Sequence, residues 1–188
     1  MTSIPLGSAI KCASWGNYTA VGPLAAHEKR TIANCGVTMS LPEMDADTGN
    51  LPEGDHLATW TEFCERFSTD PRRRRHLRNL RIVLVDLVWP RGIPQVWVDG
   101  SFISITEYAE AARPRDIDVC YPVESGQDPL QWTAQRRDEL KRRRKVDLIS
   151  SRAVTNLFDR TPILDSFRRD EQGRPRGLVV LVNDRGEA

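Results

Sequence analysis

The 188-residue chain has no apolar run that can cross a bilayer: the longest, residues 82–89, is broken by Asp86 and falls far short of the roughly 20 residues a membrane helix needs. Nor does it begin with a basic stretch followed by an apolar one, so no secretory leader is expected and the protein reads as cytoplasmic. Cysteine is sparse. Cys12, Cys35, Cys64 and Cys120 lie far apart, without the C-x-x-C pairs of zinc and redox sites, and read as buried free thiols. His27, His56 and His76 are as scattered, and none lies four residues from another, the spacing that sets two ligands on one helix face. Neither a structural zinc site nor a Ser-His-Asp hydrolase is indicated. Net charge is almost missing as well, since 27 Lys+Arg against 26 Asp+Glu give +1. What is present, 39% hydrophobic and 28% charged residues, suits one globular domain with a buried core.

That charge balance is uneven along the chain. Residues 1–70 hold 4 basic and 9 acidic side chains, and residues 71–188 hold 23 and 17, so the second part is the one to meet an anion. Residues 1–55 show neither helical nor alternating patterning and are punctuated by Pro23, Gly36, Pro42, Gly49, Pro52 and Gly54. They are expected to form an extended or partly ordered arm, with the folded domain over 56–188. Met39 is a candidate alternative start, because the text from there onward reads as self-sufficient.

From Thr59 the signals sharpen. Thr59-Trp-Thr-Glu62 is a capping box, and Trp60, Phe63, Cys64 and Phe67 fall on one face of a short helix. Asp70-Pro71 supplies a cap and a first-turn proline for a second helix, whose Leu77, Leu80, Leu84 and Leu87 form an apolar stripe ending before Pro90. Arg72 to Arg75 wrap its first turn against the helix dipole and read as a solvated face, with phosphate contact the alternative. Residues 95–99 and 116–121 read as strands. Asp128-Pro129 repeats the cap-and-proline device for a charged helix to about Arg144, residues 145–149 form a strand, Thr161-Pro162 opens a short helix through Arg169, and residues 177–182 form a final buried strand. Interleaved helices and strands without an internal repeat make the class α/β (α+β), with a small mixed sheet flanked by helices.

The chemistry concentrates in Val96 to Phe102 and the Asp116-Ile-Asp118 strand. Residues two apart in a strand share a face, so Asp116 and Asp118 aim their carboxylates together. Such carboxylates repel unless a cation sits between them, and magnesium, a hard ion bound by one or two carboxylates plus substrate phosphates, fits that place. Gly100-Ser101 at the preceding strand end suits a phosphate: glycine lets the backbone approach, while amide groups and the Ser101 hydroxyl donate to its oxygens.

Val98-Asp99-Gly100-Ser101 followed by Asp116-Ile117-Asp118-Val119 resembles the signature of the DNA polymerase β-like nucleotidyltransferase superfamily. From about residue 39 to 184 the chain is also similar to a family of small bacterial proteins of unknown function assigned to that superfamily, through Leu51-Pro-Glu-Gly54, Ala58-Thr-Trp60, Val146-Asp-Leu148 and Gly177-Leu-Val-Val180. The resemblance implies a nucleotidyltransferase-like domain with an acidic cluster at one sheet edge. A third carboxylate usually completes such sites, and Asp147 is the candidate, with Asp159, Asp165 and Asp184 as rivals; its other reading is a strand residue paired with an arginine. Asp116, Asp118 and Asp147 would then hold two magnesium ions and carry catalysis, with an NTP as substrate. Gly100, Ser101, Arg113 and Arg115 would bind the nucleotide. The gap of fourteen residues between Ser101 and Asp116 is longer than the superfamily's usual one.

The implied reaction moves a nucleoside monophosphate from the NTP to a hydroxyl, on a tRNA 3′ end or a side chain of a cognate toxin or antitoxin protein, in a toxin–antitoxin or phage-defence setting. Seven cations between Arg136 and Lys145 suit such a polyanion, though a solvated helix gives the same pattern. The alternative is a catalytically inactive fold of the same kind that binds a nucleotide, RNA or a protein. A DNA-binding module using the arginine tetrad lacks a helix-turn-helix pattern.

Overall fold

Thr59 opens the first helix as its capping box predicts. Its hydroxyl accepts from the Glu62 N–H at 3.1 Å, and the Glu62 carboxylate accepts from the Thr59 N–H at 2.8 Å. Helix α1 (Trp60–Phe67) buries Phe63 and Phe67. Asp70 caps α2 (Pro71–Val83), accepting from the Arg72 and Arg73 amides at 2.7 and 3.0 Å. A π turn (Leu84–Val88) and a 3-10 turn (Trp89–Arg91) extend it to a left-handed Gly92. That wider turn carries the apolar stripe from Leu84 to Val88, leaving Leu87 half-buried where a regular helix would have used it.

These contacts belong to a computed structural model that describes residues 41–104, 114–123, 127–153 and 162–183, all within one compact unit, Met39–Asn183. Its strands are β1 (Gly54–Ala58), β2 (Gln95–Asp99), β3 (Ile117–Tyr121), β4 (Val146–Ser150) and β5 (Gly177–Val182). Helices α3 (Ala134–Arg144) and α4 (Ile163–Phe167) complete the described elements. The strand order is β1-β5-β2-β3-β4, with β1/β5 and β3/β4 parallel and β5/β2 and β2/β3 antiparallel. The expected α+β class, a small mixed sheet flanked by helices, is what forms.

One sheet face, with Val96, Val98, Val119, Leu148, Val179 and Leu181, shares the main core with Phe63, Phe67, Leu77 and Leu80 of the first two helices. The other carries a smaller cluster of Trp97, Cys120, Leu178 and Val180 with Ile163 and Phe167 of α4. No helix among the described residues is long and apolar enough to cross a membrane.

Two boundaries differ from expectation. Residues 41–55, assigned to the arm, join the folded unit: Leu41 and Leu51 are buried in the main core, and Gly54 starts a strand. The turn formers there make a tight turn, with Gly49 N–H on Asp45 O at 2.8 Å, that feeds β1 into parallel pairing with β5. Helix α3 starts at Ala134 under a Thr133 cap, not at Asp128-Pro129. Asp128 is spent elsewhere, accepting from the Leu130 N–H at 2.8 Å and the Tyr121 hydroxyl at 2.7 Å, and Gln131 takes a positive φ of 49° that no helix continues through.

Candidate functional site

Strand register builds the site. Asp99 of β2 lies opposite Asp118 of β3, and Asp118 lies opposite Asp147 of β4, so three carboxylates form one row across adjacent strands. Residues two apart share a face, which puts this row on the side of Trp97, Cys120 and Ile149. Asp116, just before β3, joins the row through Lys141 of α3, whose Nζ is 3.0 Å from Asp116 and 2.7 Å from Asp147. Arg137, one turn earlier, puts its Nε 2.8 Å from Asp147. Arg176, just before β5, pairs with buried Asp99 at 2.6 Å.

These partners are unevenly shared. Asp147 is opposed by its burial, but its bonds to Arg137 and Lys141 outweigh that and hold its carboxyl below the usual range. Burial of Asp99 outweighs the pull of Arg176 and raises its carboxyl well above that range. Asp118 makes no hydrogen bond or ion pair among the described residues, and burial, with the charges of Asp116 and Asp147 behind it, pushes its carboxyl up to about 6. Four carboxylates meet three cations, and Asp118 is the one left over.

Gly100 follows Asp99 directly, with φ of +83°, and Asp118 lies against it. A Cβ added at Gly100 would stand 2.3 Å from Asp118 Oδ2. Only glycine permits both that backbone and that approach. Gly100→Ala is expected to cost about 1–2 kcal/mol and turn the Asp118 carboxylate away; thermal denaturation together with a crystal structure of the variant checks it, and an unchanged Tm would mean the turn relaxes freely.

Arg73 sets the segment beyond. It is 5% exposed, and its guanidinium donates to the carbonyls of Phe102, of Ser104 at 3.1 Å and of Ser101 at 3.5 Å, with its Cζ 5.1 Å from the Phe102 ring centroid. Carbonyls turned inward to Arg73 leave the Ser101 side of the turn facing outward, and Ser101 is exposed.

The structure brings Gly100, Asp116, Asp118 and Asp147 to one region of the sheet, with Ser101 at its rim. Arg115 is exposed beside Asp116, and Asp165 is exposed on α4. Arg113, Asp159 and Asp184 lie outside the described residues. Sequence reasoning missed Asp99, Arg176, Lys141, Arg137 and Arg73 as parts of the site. An aspartate closing an otherwise apolar strand was the one available signal.

Hard oxygen donors, one of them unpaired and repelled by its neighbours, fit a divalent cation in kind. As the side chains stand, Lys141 bridges Asp116 and Asp147, and no group of three or more Asp, Glu, His or Cys among the described residues is gathered to hold a metal. Loading an ion therefore requires the Lys141 ammonium to give way.

Fold and site together define a small α+β protein whose mixed sheet carries a row of aspartates beside a glycine-serine turn. The chain belongs to the family of unknown function (DUF6932), whose model matches residues 42–182. No curated protein and no solved structure matches it.

Proposed function

We propose that the protein is a metal-dependent nucleotidyltransferase that moves a nucleoside monophosphate from an NTP to a hydroxyl of an RNA end or a partner protein. The observation that carries this reading is Asp118: an unpaired, half-buried carboxylate flanked by Asp116 and Asp147 and lying against the Gly100 turn. Among the described residues nothing offsets that arrangement, whereas a bound dication relieves it. Asp116, Asp118 and Asp147 would hold magnesium. The bound ions would neutralise the triphosphate and lower the pKa of the acceptor hydroxyl. Gly100 would admit the backbone to a phosphate, Ser101 would donate its hydroxyl, and Arg115, with Arg113 as the sequence suggests, would bind the triphosphate oxygens. Lys141, released from Asp116 and Asp147, stays at hand as a further cation for the same phosphates.

One observation favours the alternative of an inactive nucleotide-, RNA- or protein-binding module: Arg137 and Lys141 already neutralise Asp147. The test is magnesium with each NTP in a thermal-shift assay, followed by incubation of α-phosphate-labelled NTPs with total tRNA and cell lysate. Saturation to 100 times Kd is worth about 2.7 kcal/mol, roughly 5–10 °C in a domain this size. A magnesium-dependent shift of that order with label on RNA or protein supports transfer. A shift without label supports a nucleotide-binding module, and no shift and no label sinks both transfer and nucleotide binding.

A further inference from the structure

We infer that exposed cations of α2 and α3 form one docking face for a nucleic-acid phosphodiester backbone beside the aspartate row. As the acceptor surface of the proposed transferase, it rests on that reading; as a binding surface, it stands alone.

The two basic blocks of the sequence are not equivalent residue by residue. Arg73 is buried and committed to the Gly100 loop, Arg74 donates to Ser68 O at 3.2 Å, Arg137 and Lys141 belong to the aspartate row, and Arg143 pairs with Glu139 at 2.9 Å. Arg81 and Arg136 lie over the Trp60 and Trp132 rings at 5.1 and 5.7 Å. Removing all of these leaves Arg72, Arg75 and Arg78 on α2 and Arg142, Arg144 and Lys145 at the end of α3. All six are exposed, and their side chains make no ion pair among the described residues.

The helices that carry them are joined. Asn79 Nδ2 of α2 donates to the Arg144 carbonyl at 2.9 Å. Asn79 shares its flank of α2 with Arg72 and Arg75, which lie seven and four residues earlier on the same side. Buried His76, one turn beyond Arg72, marks the meeting point: besides its burial, it is repelled by Arg72 and Lys145 and attracted by Asp116 and Asp70. Cations from both helices thus converge where the aspartate row begins.

Unpaired like charges stabilise nothing inside the chain. Arg72 stands in the first turn of α2, which has no acidic residue of its own beyond the Asp70 cap, so it also opposes the helix dipole. With no partner among the described residues, these cations are free to take an anionic ligand. A protein partner is poorly served here, because stable protein interfaces need buried apolar or aromatic anchors. The one large apolar side chain exposed among the described residues, Leu57, is on β1, at the opposite sheet edge from the β4 strand on which α3 packs. Trp132, under Arg136 at 5.7 Å, is half-buried against the core and does not offer its ring as a stacking platform. Point charges without exposed aromatics or anchors match a phosphate backbone held without base reading.

The experiment measures binding of a fluorescent single-stranded RNA to the full chain in EDTA, across salt concentrations, for wild type, Arg72→Gln/Arg75→Gln, Arg144→Gln/Lys145→Gln and the fourfold variant. A DNA of the same sequence shows whether the sugar matters, and polyglutamate serves as competitor. Micromolar binding is expected, weakened at least tenfold in the fourfold variant, with the salt slope reduced by about 0.7 per lost phosphate contact. Each double variant alone should show part of that loss, with Tm unchanged. Equal RNA binding by wild type and fourfold variant overturns the proposal, and so does polyglutamate competing as well as RNA. Because EDTA removes any metal-dependent chemistry, binding here is read apart from transfer: RNA binding in EDTA with no label transferred in the magnesium assay would sink the transferase reading and leave this face standing.

Discussion

Asp118→Asn is expected to raise the melting temperature at pH 7 and abolish nucleotidyl transfer together. The two effects have one origin. The Asp118 carboxyl titrates at about 6 rather than its ordinary 3.8, because burial first, and then Asp116 and Asp147, penalise its charge. Each pH unit of such displacement is worth about 1.4 kcal/mol, which bounds the folded-state penalty at roughly 3 kcal/mol. Below about pH 4 the proton is present in both folded and unfolded chains and the penalty vanishes. As pH rises past 6 the folded chain must ionise against its surroundings and the penalty is complete. Asparagine keeps the shape and omits the charge, so its gain is full at pH 7, about 2 kcal/mol or roughly 4–8 °C in Tm, and fades as pH falls from 6 to 4. Transfer should drop by roughly 10³-fold or more, since the group lost is one placed for charge stabilisation. Asp86, exposed on the π turn, is the control, and Asp86→Asn should change neither quantity. A destabilised Asp118→Asn protein would show that the fold uses this charge, and the transferase reading would lose its support.

How far the sequence discloses this arrangement depends on how local each determinant is. Strands β2 and β5 and the starts of α1 and α2 are legible because apolar runs and caps act within a few residues. Asp118 and Asp147 are legible as a pair only through the order of turn and strands, and register then sets them opposite each other. Strand β1 is not legible: Gly54-Asp-His-Leu-Ala58 has no strong β pattern and exists by pairing with β5, more than 120 residues away. The roles of Lys141 and Arg176 are hidden for a related reason. A basic run along a helix reads as solvated, and only the parallel β3/β4 pairing reveals which one of its cations faces Asp116 and Asp147.

Arg73 is the extreme case, an arginine inside a run of four that the chain buries while its neighbours stay in water. Arg73→Met is expected to cost about 3–4 kcal/mol and lower Tm by roughly 10 °C. Methionine fills part of the space but leaves the carbonyls of Phe102 and Ser104 without donors, at about 1–3 kcal/mol for each buried polar group unsatisfied. The usual tolerance for replacing a buried ion pair with an apolar side chain does not apply, because the guanidinium is spent on neutral carbonyls and its nearest carboxylate, Asp70, is 3.8 Å away and half exposed. Arg73→Lys should recover less than half of the loss, since one ammonium on a flexible stem cannot span carbonyls that a planar fork reaches together. Arg74→Gln, next door and exposed, should be nearly neutral. Hydrogen exchange separates a local from a global effect: the Ile103 amide, bonded to Gly100 O at 3.2 Å, should lose protection in Arg73→Met well beyond the fall in global stability, while β5 amides follow the global value. Equal loss at both places would mean that Arg73 supports the core as a whole, and Tm within 2 °C of wild type would mean that the Gly100 turn holds its shape without it.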